Sequence, residues 1–566
     1  MKSNHLQEAD GNTRHDSKEY SFDANDTAAG SGKDREKVSE KMTDTADNAS
    51  GSTMEKKAAV KNGVVRMILV VLSILIEVVV IFLLLQFAGS KAGWIYVVLH
   101  ILSIILVLMI YGSHKTASIR MTWIMLIMLV PVVGTVLFFL IGLNGHTLKM
   151  RRRYMELDKI LLPLLPANED VDDHVRHFSR RVSGVVRYIK NNAGYPVYEK
   201  TRITYYDDAV KGFEAQKREL AKAKKFIFME YHAIEDAECW HEIQAILVER
   251  AKAGVEVRIF YDDMGSLGFI NMDFVKRMQA CGLQCRVFNP FVPGLNIFLN
   301  NRDHRKITVV DGKVGFTGGY NLANEYFHRT EPFGFWKDTG VRLEGDAVQS
   351  LTVTFLEMWN AISDKDEDDR DYKKYLPVIP VPESEGFIQP YADSPMDDIA
   401  VGEDVYISIA EGAHDYCWFI TPYLIITDEM NHALSLAARR GVDVRIITPG
   451  IPDKKMVYNL TRSYYNGLAR HGVRIFEFTP GFCHAKMCVS DDIIATCGTI
   501  NMDYRSLYHH FENGCLYAGC EAVMDTKRDF EETFAQCEEV TDYYVSGRGA
   551  FMRFGHMILR LAAPLM

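Results

Sequence analysis

Residues 304–321, HRKITVVDGKVGFTGGYN, and residues 484–501, HAKMCVSDDIIATCGTIN, carry one skeleton at the same offsets, and that match decides how the chain is read. Each begins with a histidine, has a lysine two residues on and an aspartate five residues beyond the lysine: His304, Lys306 and Asp311, then His484, Lys486 and Asp491. Gly318 and Gly498 both stand 14 residues after their histidine, and Asn321 and Asn501 both stand 17 after it. In an extended strand the side chains at i and i+2 share a face, so the His and Lys of each pair point together while Arg305 or Ala485 points away. An imidazole attacks phosphorus when neutral and donates a proton when charged. A lysine supplies fixed positive charge to the oxygens of a phosphorane. A single H-x-K pair on a strand is ordinarily surface chemistry of no consequence. Two pairs at equal offsets make a nucleophile, an acid and a phosphate cradle. Asp311 and Asp491 complete the catalytic motif, but they open the turn-like DG and DD and are expected to act structurally in the turn after each strand.

The duplication continues upstream. KKFIFMEYHAI (224–234), a helical stretch and AGVEVRIFYDD (253–263) are mirrored by CWFITPYLII (417–426), a helical stretch and RGVDVRIITPG (440–450). Gly254 and Gly441 mark equivalent helix ends, each followed by a strand. Short apolar runs alternating with amphipathic stretches from about residue 163 onward are the signature of α/β units around a buried sheet. The expected architecture is therefore α/β, with two similar lobes, 163–366 and 387–545, meeting at a pseudo-twofold active-site interface. The acidic DKDEDDRD (364–371) and the Pro-containing PVIPVPESEG (377–386) mark a surface linker, placed at 367–386.

The amino-terminal third has a different chemistry. Residues 1–62 are polar and charged and cannot bury enough surface to order themselves, so a disordered tail is expected. The first apolar run begins only near Val64, too late for a secretory signal. Val64–Phe87, Trp94–Tyr111 and Met121–Leu143 each approach the length of about 20 residues that spans a hydrocarbon core, so 63–145 reads as a membrane module of two to three transmembrane helices. Glu77 sits in the first run, where a mid-bilayer carboxyl costs about 2.5 kcal/mol or more. Pro131 and Gly134 in the third are tolerated where neighbouring helices satisfy the backbone. Basic residues flank both ends, Lys56, Lys57, Lys61 and Arg66 before and Lys149, Arg151, Arg152 and Arg153 after. Either the tail is outside or one run is re-entrant. The closing GRGAFMRFGHMILRLAAPLM combines basic and apolar residues, as an interfacial helix at 546–566 would.

Bulk properties exclude several classes. A chain of 566 residues exceeds the size of one growing core. A formal charge of -10 argues against nucleic acid as the main partner. Ten cysteines without framework spacing fit reduced thiols and a cytoplasmic catalytic domain. Cys483 and Cys488 beside His484 lack zinc-ligand spacing and read as buried strand residues, while Trp240 and Trp359 read as core.

The segments NNRDHRKITVVDGKVGFTGGYNLANEYF, FGFWKDTGVRLEGDAV, CHAKMCVSDDIIATCGTINMDYRSLYHHFENG and YDDMGS resemble the phospholipase D superfamily, and specifically bacterial cardiolipin synthases. The resemblance covers roughly residues 92–566, including WIMLIMLVPVVGTVLFFLIGLN of the apolar module. It implies a phosphatidyltransferase that passes a phosphatidyl group between two phosphatidylglycerols, through a phosphohistidine, giving cardiolipin and glycerol. Hydrolysis, another alcohol acceptor, or a catalytically silent membrane scaffold are the rival readings. His304 would attack and His484 act as acid and base, although the two are near-equivalent by sequence. Lys306, Lys486, Asn321 and Asn501 would hold phosphate oxygens, and Asp338 in FWKDTG and Glu512 in FENG would orient the histidines. The resemblance implies no cofactor and no metal, phospholipid and membrane as partners, and a multi-pass place in the cell membrane. His509 and His510 depart from the family pattern.

Overall fold

A computed structural model describes residues 93–113, 116–139, 147–166, 169–290, 301–363, 371–379 and 384–546, with isolated positions at 79, 555, 559–561 and 563. All of these belong to one compact unit, Ala59–Met566. The expected polar tail, all of the first apolar run except Val79, most of 546–566 and the acidic part of the linker lie outside the described residues.

The first lobe is built on a seven-stranded sheet in the order Thr201–Tyr206, Gly340–Gly345, Val314–Gly318, Lys306–Val310, Phe226–Tyr231, Glu256–Asp262, Gln284–Phe288. The second repeats that order as Phe387–Asp393, His510–Ala518, Ile494–Gly498, Met487–Ser490, Tyr416–Ile420, Asp443–Pro449, Arg474–Phe478, and adds Cys537–Glu539 at its edge. In both, a parallel trio is joined to an antiparallel hairpin: Phe226–Tyr231 pairs parallel with Glu256–Asp262 and antiparallel with Lys306–Val310, as Tyr416–Ile420 does with its counterparts. Phe226–Tyr231 and Tyr416–Ile420 are buried along their whole length, which is why they read as continuous apolar runs and not as alternating ones.

Local signals set the crossovers. Asp208 accepts from the Val210 amide (2.8 Å) to start helix Ala209–Ala221, and Thr427 accepts from Met430 (3.1 Å) to start Asp428–Arg439. Gly254 and Gly441 follow the matching helices with φ of +89° and +97°, the left-handed conformation that stops a helix at little cost. Helix Val348–Ile362 is buried from Val348 to Ala361, with Phe355 stacked on Phe228 at 4.5 Å. Trp240 and Trp359 are in the core, as their helical positions imply.

The lobes exchange short strands. Arg302–Asp303, just before the first H-x-K, runs parallel to His510–Phe511 of the second lobe. Gly481–Cys483, just before the second H-x-K, runs parallel to Phe335–Lys337 of the first. Asn513 Nδ2 donates to Thr317 Oγ1 (2.7 Å) and Lys337 pairs with Asp529 (2.6 Å) across the same interface.

Among the described residues no helix is long and apolar enough to cross a membrane. The second apolar run forms helix Gly93–Tyr111, 19 residues. That is about 28 Å against a core of about 30 Å. The third is cut at Pro131 into Ala117–Leu129 and Pro131–Leu137, since proline removes an amide and is best placed at a helix start. Ser103 and Thr135 hydroxyls meet at 2.7 Å, tying these helices together, and their outward residues are apolar, among them Ile104, Leu108, Met109, Met128 and Leu129.

Candidate active site

The strand exchange places each histidine against the other lobe. The His304 amide donates to Phe511 O (2.9 Å) and the His484 amide to Lys337 O (2.7 Å). One residue further on in each partner strand stands a carboxylate: His304 Nδ1 lies 2.9 Å from Glu512 Oε2, and His484 Nδ1 lies 2.6 Å from Asp338 Oδ2. A carboxylate accepts the Nδ1 proton, so the neutral ring keeps its lone pair on Nε2. Glu512 is fixed in turn by the Thr499 hydroxyl, and Asp338 Oδ1 accepts from the Thr339 amide (2.9 Å).

Glycine makes this approach possible. A Cβ on Gly318 would stand 2.4 Å from Thr339 O, and one on Gly498 2.4 Å from Asn513 O, so the motif glycines let the carboxylate-bearing strands close in. A Cβ on Gly319 would meet Asp338 Oδ1 at 2.1 Å.

Both lysines share the histidines' faces, as the period of two requires. Lys306 Nζ donates to the His304 carbonyl. Lys486 Nζ lies 2.8 and 3.0 Å from the two ring nitrogens of His484, so it stands over the ring, because Cε1 blocks that position in the plane. Burial, followed by the charges of Lys306 and Lys486, holds both His304 and His484 well below the ordinary imidazole range. That each histidine feels both lysines is what two pairs in one site produce. Burial also lowers Lys306 to about 7 and Lys486 to about 8, and raises Asp338 to about 7.

A bound phosphodiester anion favours the charged lysine, so its affinity falls with pH once the free lysine loses its proton. From Lys486 alone the affinity of a water-soluble phosphodiester should drop by about tenfold per pH unit above about 8. Lys486→Arg, which keeps its charge, should flatten that slope in equilibrium binding; equal affinity at pH 7 and 9 in the unaltered chain would sink the assignment.

Asp311 and Asp491 stand at the far end of their strands. Asp311 accepts from the amides of Lys224, Lys225 and Phe226, and Asp491 from those of His414, Asp415 and Tyr416 and from Arg181. Both residues have positive φ, 54° and 55°. They lock the turn to the start of the neighbouring strand and stand apart from the paired histidines and lysines, where the DG and DD contexts suggested a structural role. Burial pushes Asp491 up, but the amides and Arg181 outweigh it and leave it below the usual carboxylate range. Its contribution is present above the ordinary carboxylate pKa and is lost as pH falls through the lowered one. Asp491→Ala should lower unfolding free energy by about 1–3 kcal/mol in denaturant melts while leaving turnover per folded molecule intact.

Asn321 Oδ1 accepts from the Ala233 amide (3.1 Å) and its Nδ2 donates to Tyr326 OH (2.8 Å), leaving one amide hydrogen. Asn501 is buried and its Oδ1 has no partner among the described residues.

A family model described as cardiolipin synthase, PLD-like domain, matches residues 217–359 and 406–534, one segment in each lobe. Cardiolipin synthase 2 of Bacillus cereus is 30% identical over 458 residues, 81% of this chain and 88% of that one. The chain belongs to the phospholipase D-like cardiolipin synthase family. An uncharacterized protein of Streptococcus mutans is 40% identical over 462 residues, 81% of this chain and 99% of its own length. A cardiolipin synthase of Halalkalibacterium halodurans is 29% identical over 480 residues, covering 84% and 95%. Among solved structures, phosphatidylserine synthase of Haemophilus influenzae matches with a TM-score of 0.51 at 15% identity, over 68% of this chain and 100% of that one, which speaks for the fold.

This member of the cardiolipin synthase family has unlike halves around its paired motifs. His484 is walled by Tyr326, Trp336 and Phe482, with ring centroids at 5.3, 5.5 and 5.8 Å. His304 is flanked by His232 at 4.9 Å and His510 at 5.6 Å. His510 and Trp336 are equivalent positions, each two residues before its lobe's orienting carboxylate. His232 gave no sequence signal, because its counterpart in the second lobe is Pro422. Its Nδ1 is 2.7 Å from Asp303 O, and burial with the His304 charge keeps its pKa low.

Proposed function

We propose that the chain transfers a phosphatidyl group between two phosphatidylglycerol molecules, forming cardiolipin and glycerol. The reciprocal carboxylate–histidine pairs carry the reading, since each carboxylate engages Nδ1 and so reserves Nε2 of its ring for chemistry at one buried site. His304 Nε2 attacks phosphorus, the glycerol oxygen leaves with a proton from His484, and a phosphatidyl-histidine remains. His484 then takes the proton from a hydroxyl of the second phosphatidylglycerol, which attacks phosphorus and restores His304. The entering phosphodiester anion raises the imidazole pKa that burial and the lysines depress, so His484 arrives protonated. Lys306, Lys486, Asn321 and Asn501 hold the non-bridging oxygens; Glu512 and Asp338 fix the ring tautomers and steady the imidazolium.

The apolar module, residues 63–145, embeds in the cell membrane, with the helices around Pro131 as its re-entrant part and the two lobes on the cytoplasmic face. The exposed apolar side chains of Ile104, Leu108, Met109, Met128 and Leu129 support this, because so many large apolar groups turned outward on two packed helices mark a surface that meets a partner or a membrane. A site beside the bilayer meets lipid alcohols at high local concentration and water at low access.

The test is to incubate the purified chain in detergent with labelled phosphatidylglycerol and resolve the lipid products. Cardiolipin with equimolar glycerol supports the proposal. Phosphatidic acid alone would make the chain a hydrolase, and no turnover would favour a scaffold.

A further inference from the structure

We propose that His304, His510 and Glu512 form a site for a divalent transition ion, and that Zn2+ bound there holds the attacking imidazole and switches transfer off. One donor atom from each lies within 4.8 Å of the others. His510 Nδ1 is 3.6 Å from Glu512 Oε1, too long for a hydrogen bond. It is close to the separation of about 3.4 Å between two ligands on a tetrahedral ion with bonds of about 2.1 Å. Neither ring nitrogen of His510 has a hydrogen-bond partner among the described residues, although both are buried. Glu512 is the carboxylate nearest these nitrogens, which places an imidazole and a carboxylate at a separation that an ion between them would fit.

The fold does not impose an imidazole here. The equivalent position of the other lobe holds Trp336, packed beside His484 at 5.5 Å, although the seven strands of the first sheet recur in the same order in the second. Only the His304 half therefore gathers two imidazoles and a carboxylate, the donor set that borderline divalent ions such as Zn2+ prefer. Lys306 and Lys486 oppose a dication and Glu512 and Asp338 favour it. Three protein donors leave a fourth position for water, or for the phosphodiester oxygen of a lipid. The His304 atom beside Glu512 is Nδ1, 2.9 Å away, so the ion takes the place of the proton held between ring and carboxylate; the neutral ring then carries its proton on Nε2, which blocks the nucleophile while the lysine cradle stays in place. This last step rests on the transfer reading above; the binding of the ion does not.

The test uses the full chain in detergent, stripped with a chelator and titrated with Co2+, whose visible absorption reports nitrogen and oxygen ligands. One equivalent is expected to bind, to be displaced by Zn2+, and to bind at least tenfold more weakly in His510→Asn and His510→Gln, with circular dichroism showing that both variants are folded. The Zn2+ concentration that halves each enzyme's own transfer rate should rise by at least tenfold in the same variants. Absence of stoichiometric Co2+ uptake, or equal affinity in the variants, overturns the site. Uptake through His510 with transfer unaffected by Zn2+ overturns the switch. The Co2+ spectrum reads out whatever the lipid substrate is, so a failure of the transfer reading stays separate from a failure of the site.

Discussion

Cardiolipin formation is expected to fall by at least roughly 10,000-fold when either His304 or His484 is replaced by asparagine. Both rings are buried, both meet a carboxylate through Nδ1, and the charges of Lys306 and Lys486 act on both. In the proposed cycle each step needs one ring as nucleophile or leaving group and the other as proton carrier. The two losses should therefore not add: the double variant should be about as inactive as either single one. Asparagine leaves the fold in place, so melting curves should change little. The rates are measured with labelled phosphatidylglycerol, and the acid-labile label retained on denatured enzyme identifies the attacking ring. A variant at either position with a tenth of the original rate would remove that histidine from the chemistry.

The second large effect concerns the carboxylates. Asp338→Asn and Glu512→Gln keep the shape but let an amide meet Nδ1, so the ring is turned to the wrong tautomer and the imidazolium loses its counter-charge. Losses of about 100-fold to 10,000-fold are expected. Stability should move the other way at Asp338. Burial raises this carboxyl to about 7, so between its unfolded pKa, about 3.9, and 7 the folded state binds more protons than the unfolded one. Its contribution to stability therefore declines as pH rises through that window. Asp338→Asn has no such term, and its melting temperature should fall less than the wild type's between pH 5 and 7. A variant that is both inactive and equally pH-sensitive would point to simple misfolding.

Much of this site was legible in the chain. Strand periodicity put His304 with Lys306 and His484 with Lys486 on shared faces, and the matched offsets of Gly318 and Gly498 marked equivalent positions, whose close approach to a neighbouring strand only the structure shows. The repeat strands and their glycine stops pointed to two similar α/β lobes, but the order of the strands in each sheet came only with the structure. What the sequence could not supply was contact across lobes. Nothing in the spacing says that Glu512 serves His304 while Asp338 serves His484, because that follows from two strand pairings of two or three residues each. His232 was invisible for the same reason, since it approaches His304 from a neighbouring strand and has no repeat partner of its kind. The apolar runs were read by length, and length is where Pro131 and the 19-residue helix before it fall short of a simple span.

The exchanged strands also bear on time. His304 leaves the ribosome some 200 residues before Glu512, so during synthesis the first lobe carries a reactive imidazole with nothing to aim it. Competence arrives only when the last long strand of the second lobe docks. On the proposed cycle a chain cut short anywhere before residue 512 is therefore expected to be inactive, and two half-length chains to regain activity only by associating.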